Sequence, residues 1–204
     1  MNPKEPTNPN HPLVRADTTA PAEVAIADTE RWLERAVIGL NLCPFAKAVH
    51  AKRQIHYAVS RATQPTDLLE DLIFELKELS ALTSIDRDTT LLIAPHFLND
   101  FLDFNDFLAQ ADDALAELRL EGTIQIASFH PDYQFAGTPA DDITNATNRS
   151  PYPTLHLLRE ASIERAVESF PNPEAIYGAN IETLQRLGAD GWAALGVGPS
   201  GRKR

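Results

Sequence analysis

Apolar positions recur along this chain at two spacings, and the spacing changes mark its elements. Val24, Leu33, Val37 and Leu40 fall at helical intervals after Pro21, which suits a first helical turn, so a helix is expected over 21 to about 40. Residues 54–59 alternate, with Ile55, Tyr57 and Val59 on one side, as a half-buried strand does. Leu68, Leu69, Leu72, Ile73, Leu76 and Leu79 trace the apolar stripe of an amphipathic helix. Residues 91–94 are apolar without alternation, the pattern of a strand covered on both faces. Phe97, Phe101, Leu108, Leu115 and Leu118 mark a third helix, and residues 123–129 a strand with Ile124 and Ile126 inward. Two more helices are expected, over about 153–170 and over 172–187. The second has Asn172 as N-cap, Pro173 in its first turn and Gly188 as C-cap.

The middle of the chain therefore reads β-α-β-α-β, which favours parallel strands joined by right-handed crossovers. Placing the doubly apolar strand centrally gives the order 1-2-3. Both crossover helices then lie on one face, and the terminal helices must cover the other. The expected fold is α/β, a three-layer sandwich around a small, mainly parallel sheet. A ferredoxin-like α+β arrangement is the alternative. One domain is expected over 20–190. Residues 1–19, with Pro3, Pro6, Pro9 and Pro12, and residues 191–204 lack a periodic apolar face and read as flexible tails. Gly196, Gly198 and Gly201 spell a dinucleotide-binding signature, but no helix follows to present amide groups to a pyrophosphate.

Composition narrows the function. With 43% hydrophobic and 23% charged residues over 204 positions, the chain can build a core. Eighteen basic against 29 acidic side chains give −11, the wrong sign for a nucleic acid or an anionic membrane surface. A small anion in a local basic pocket remains open. Cys43 is the one cysteine, so no intrachain disulfide forms. The polar start and the lack of a run near the roughly 20 apolar residues of a membrane span point to the cytoplasm.

Parallel sheets bind ligands beyond the carboxyl ends of their strands. Those ends are Ser60 and Arg61, Pro95 and His96, and His130, Pro131 and Asp132, with His96 and His130 expected side by side. The stretch after His130 is dense in functional groups: Asp132, Tyr133, Asp141, Asp142, Asn145, Asn148 and Arg149. Its length without regular structure suits a functional loop. On the expected following helix, Arg159 falls among Leu155, Ile163, Ala166 and Phe170, and His156 beside it. An inward arginine needs a carboxylate, a carbonyl cluster or an anionic ligand; a carboxylate within 132–142 is the expected partner.

The leading reading is an enzyme acting on a small anionic metabolite by His/Asp acid–base or metal-assisted chemistry. His130, His156 and Asp142 are the catalytic candidates, and Arg149, Arg159, Asn148, Tyr133 and Asp132 the ligand-binding ones. His130 and His156 are expected to line one pocket. Each residue also has a structural reading: an ion pair for Arg159, a hydrogen-bonded core imidazole for His156, a turn for His130, a cap for Asp142. A non-catalytic small-ligand or regulatory module is the alternative function. The sequence names no cofactor, metal or oligomeric state.

Two resemblances add to this. Residues 42–46, Leu-Cys-Pro-Phe-Ala, resemble the active-site segment of omega-class glutathione transferases and glutaredoxins. That likeness implies a thiol-redox role for Cys43, although the segment upstream has a helical period where that fold has a strand. Over a much longer span, 43–47 (CPFAK), 130–135 (HPDYQF), 147–153 (TNRSPYP) and 155–160 (LHLLRE) resemble a family of mainly proteobacterial proteins known as Domain of Unknown Function 1415. The resemblance covers about residues 22–188 and implies a bacterial cytoplasmic origin and a single domain. It implies no activity.

Overall fold

The computed structural model of the chain describes residues 22–168, 172 and 175–201. The expected N-terminal tail lies outside these residues, as do Pro173 and residues 202–204. The fold is mixed α/β with a four-stranded sheet. Strands β1 (Ile55–Val59), β2 (Thr89–Ile93) and β3 (Ile124–Phe129) form where alternation or a continuous apolar run places them. A fourth, β4 (Thr154–Arg159), occupies the first part of the segment expected to be helical.

That fourth strand corrects the expected topology. The order is β1-β2-β4-β3, with β1 and β2 parallel and β4 antiparallel to both its neighbours. The sheet is thus neither mainly parallel nor ordered 1-2-3. The β-α-β-α-β-β order also departs from the β-α-β-β-α-β of the ferredoxin-like alternative. The physical reason lies in residues 154–159. Leu155 and Leu157 bury on one face while His156 turns to the other, a period of two. Pro153 biases the residue before it towards extended backbone. Helical spacing begins only at Glu160, where α5 (Glu160–Glu168) carries Ile163, Ala166 and Val167. Reading both stretches with one period of 3.6 merged a strand and a helix.

Helices cover both faces. On one, α3 (Pro65–Ala81) and α4 (Phe101–Glu117) bury Leu68, Leu72, Leu76, Phe104 and Phe107 against Leu92, Ile124, Leu155 and Leu157. On the other lies α1 (Ala22–Trp32), which runs into a π-helical stretch over Leu33–Ile38. Ala25 packs on Leu91, Ile93 and Tyr152, and Trp32 on Tyr57 and Phe129. Gly39 follows the π-helical stretch at a position where a Cβ would run into the Arg35 carbonyl. A short α2 (Ala46–Ala51) follows. The last helix, α6 (Ala175–Ala194), brings Leu184 against Leu42 and Ala146. No helix among the described residues is long and apolar enough to cross a membrane.

Arg159 finds main-chain oxygen rather than the expected carboxylate from 132–142. Its guanidinium donates to the carbonyls of Leu79 and Leu82 at the end of α3 and of Arg87 before β2. It serves as a C-terminal cap for α3, where unsatisfied carbonyls and the helix dipole favour a cation.

As far as Gly201, the expected carboxy-terminal tail is docked and not loose. Gly188 takes a left-handed conformation (φ 68°) at a kink, and the helix resumes to Ala194. Val197 is buried against Trp32 and Leu33. Arg31 donates to the carbonyls of Gly196 and Gly198, so the glycine-rich stretch is a docking strand for a side chain. Beneath it the Asp28 carboxylate, 1% exposed, accepts from Arg31, from the Tyr152 hydroxyl, and from both the amide and the hydroxyl of Ser200. Burial alone would raise its pKa. The hydrogen bonds from Ser200, Tyr152 and Arg31 outweigh it and hold the carboxyl below its usual range.

Two outcomes are expected. Asp28→Ala strands a buried tyrosine hydroxyl and frees the terminal segment, lowering stability by about 3 kcal/mol in denaturant melts. Because the folded-state pKa of Asp28 is depressed, its stabilisation is present above the unfolded pKa of 3.8 and is lost as pH falls through the lower folded value. The variant therefore closes its gap to wild type only in strong acid. Equal stability of the two proteins at neutral pH would contradict the docking role.

Candidate functional site

The strands β1, β2 and β3 all point one way, so their carboxyl ends share an edge with the start of β4. Ser60, Ala94 and His130 lie along it as expected. Because β4 stands between β2 and β3, the ends carrying His96 and His130 are not adjacent.

His130 is fully buried at that edge, its ring against Phe101 and Phe104. Its Nδ1 accepts the Asp132 amide at 3.0 Å, which leaves Nε2 as the protonated nitrogen, donating to the Leu98 carbonyl at 3.0 Å. Both ring nitrogens are thereby engaged by main chain. Burial pushes its pKa down against the opposing pull of the Leu98 carbonyl, Asp132 and Asp100. The ring pins two loops together in a fixed tautomer and presents no free lone pair to a substrate.

The polar residues that follow mostly hold their own loop. Asn145, fully buried, accepts from the Phe135 amide and the Thr138 hydroxyl and donates to the Pro139 carbonyl. Asp142 caps the 3-10 helix Ile143–Asn148 by accepting from the amide and hydroxyl of Thr144, bonds that hold its carboxyl below the usual range. Asn148 donates to the Ser128 carbonyl and accepts the His130 amide, fastening the loop to β3. Arg149 donates to the carbonyls of Tyr133 and Ala140, with Asp132 and Asp142 as its charged neighbours. Asp132 and Asp141 are exposed. Tyr133 stands between Phe101 and Phe135, and Phe135 meets the exposed Tyr177 of α6.

His156 lies on the other side of the sheet, correcting the expectation that it shares a pocket with His130. Its neighbours on β4, Leu155 and Leu157, face α3 and α4, whereas its ring lies beside Phe129 on the α1 face. Nε2 stands 2.7 Å from the Thr89 hydroxyl. That hydroxyl already donates to the Leu157 carbonyl, so Nε2 is the donor to it. Burial pushes the His156 pKa down to about 4.

Open space is found elsewhere on the carboxyl edge. A cleft of about 380 Å³ lies between the end of β1 and the first turns of α3, lined by Val59, Arg61, Ala62, Asp67 and Asp71. The buried Ser60 donates to Asp71 Oδ2 at 2.6 Å and accepts the Ala62 amide, which fixes that carboxylate in place. Asp67 accepts from Gln64. Arg61 is exposed, and among the described residues it makes no hydrogen bond or ion pair. Sequence reasoning placed Ser60 and Arg61 at a strand end but passed over Asp67 and Asp71. Both sit in the first two turns of a helix after a parallel strand, and that position was the signal available.

Among the described residues no group of three His, Cys, Asp or Glu side chains converges as a metal site. Cys43 is half-buried against the Trp32 cluster, two residues before the N-cap of the six-residue α2. A π-helical stretch precedes it where the glutaredoxin-like segment has a strand.

A family model described as "Protein of unknown function (DUF1415)" matches residues 24–194. The chain belongs to that family, as the motifs around His130 and Arg149 implied. Neither a curated protein nor a solved structure matches it.

The two imidazoles make a pH prediction. Both folded pKa values lie below the unfolded value of 6.5, so the unfolded chain takes up protons first as pH falls. The stability owed to the neutral rings is complete above about pH 6.5 and is lost as pH falls below it, for His156 towards about pH 4. Imidazole resonances should show His156 neutral until about pH 4. A His156 midpoint near 6.5 would contradict the buried, Thr89-bound ring.

Proposed function

We propose that this member of the DUF1415 family binds a small anionic metabolite in the cleft at the carboxyl end of β1, with Arg61 as the anchoring cation. One observation carries the reading: Arg61 lines an open cleft of about 380 Å³ at a parallel strand end and is committed to no partner among the described residues. By contrast, Arg149 and Arg159 spend their donors on main-chain carbonyls. The volume suits a small metabolite, and a planar guanidinium offers two parallel donors to a carboxylate or phosphate. The first turn of α3 adds a favourable field for negative charge, set against the like charges of Asp67 and Asp71 in the same wall.

In the enzymatic form of this proposal, acid–base chemistry runs through Asp67 and Asp71, the titratable groups in the cleft wall. It does not run through His130, whose two ring nitrogens are held by main chain, or through His156, which does not line the cleft. The lack of any histidine in the cleft lining favours a second reading, ligand binding without turnover. Product formation from a bound metabolite distinguishes the two.

Melting in phosphate, sulfate and small carboxylates tests the binding. At about 100 times Kd, a ligand of the folded state adds about 2.7 kcal/mol, which raises Tm by roughly 5–10 °C for a chain of this size. Arg61→Ala should abolish the rise and His156→Gln should keep it. A rise that survives Arg61→Ala would place the anion elsewhere.

A further inference from the structure

We infer that the anionic group held by Arg61 is the carboxylate of a zwitterion of the amino-acid type, with an ammonium group within a few bonds of it. The inference rests on the placement of the ligand in the cleft proposed above. Its own basis is the charge pattern of the lining. Arg61 faces the same space as Asp67 and Asp71, yet it pairs with neither. Three charges of both signs therefore border one open cleft without an ion pair between them.

The carboxylates are each half used. Asp71 takes the Ser60 hydroxyl on Oδ2, and Asp67 takes the Gln64 amide on Oδ1. Asp71 Oδ1 and Asp67 Oδ2 have no donor among the described residues. The Asp71 oxygen is also held in position, because the buried Ser60 that binds its partner oxygen is itself fixed by the Ala62 amide. A simple anion drawn to Arg61 would meet two like charges across the cleft. A ligand with an ammonium group instead brings three donors to the open carboxylate oxygens. A hydroxyl in the same place offers one donor and no charge, and should bind less well. The lining thus discriminates by charge sign at two points, and recognition of a donor by a fixed acceptor is the more selective kind of recognition.

Calorimetric titration of the full chain tests this with matched ligands. Each common α-amino acid is compared with the 2-hydroxy acid and the unsubstituted carboxylate of the same skeleton, and inorganic phosphate is run beside them. At least one amino acid should bind about tenfold or more tightly than its unsubstituted analogue. Asp71→Asn, which can still accept the Ser60 hydroxyl, should bring that preference close to unity while the plain carboxylate binds at least as tightly as before, one like charge having been removed. Asp67→Asn, away from the buried serine, should reduce the preference too and serves if the first variant does not fold. Arg61→Gln should weaken both ligands. If plain carboxylates or phosphate bind as tightly as the amino acids and the asparagine variants change nothing, the zwitterion inference is overturned and the anion site stands. If nothing in the panel binds, both readings fall.

Discussion

The insertion of β4 between β2 and β3 is the constraint on which the rest of the structure depends. It adds no length to the crossovers, but it decides what each face of the sheet carries. Leu155 and Leu157 complete the core under α3 and α4. His156 is sent to the opposite face, where Thr89 binds it. Arg159, at the end of the strand, reaches the open carbonyls that finish α3. Breaking that pairing would unseat the centre of the sheet and not merely its edge.

The same insertion explains the long polar loop after His130. The chain leaves β3 and must turn back to enter the sheet beside it as β4, and the loop carries many main-chain groups that no ladder satisfies. Side chains satisfy them instead, and His130, Asn145, Asn148 and Arg149 together bind main-chain groups from Leu98 to Ala140. Residue types that suggest chemistry in a sequence are here largely occupied in holding a path. The cleft at Arg61 differs because its charged groups face open space with bonding capacity to spare.

Much of the fold was legible in the chain. The alternation at Ile55, Tyr57 and Val59, the unbroken apolar run before Ala94 and the leucines of α3 each gave the right element, since burial on one face or two leaves a direct mark on spacing. What escaped was the strand at 154–159, because Leu155, Leu157 and Leu158 satisfy both periods and the helical stripe of α5 follows without a break. From that ambiguity came the wrong strand order, the supposed shared pocket of His130 and His156, and the wrong partner for Arg159. The docking of residues 196–200 was hidden for another reason. Val197 stands alone among small residues, and the carboxylate that holds Ser200 lies far away at Asp28. Ser60 and His130 do stand at strand ends on one edge, but β4 separates the ends that carry His96 and His130.

The central claim is that the functional edge of this sheet is the end of β1, with Arg61 as its anchor. Side-chain Nε–Hε and backbone amide NMR spectra recorded during titration with a small carboxylate or phosphate test it most directly. Saturable shifts are expected at Arg61, Ala62, Asp67 and Asp71, with the His130 and His156 rings unmoved. Shifts gathered around His156 or Tyr177, with Arg61 unchanged, would contradict it.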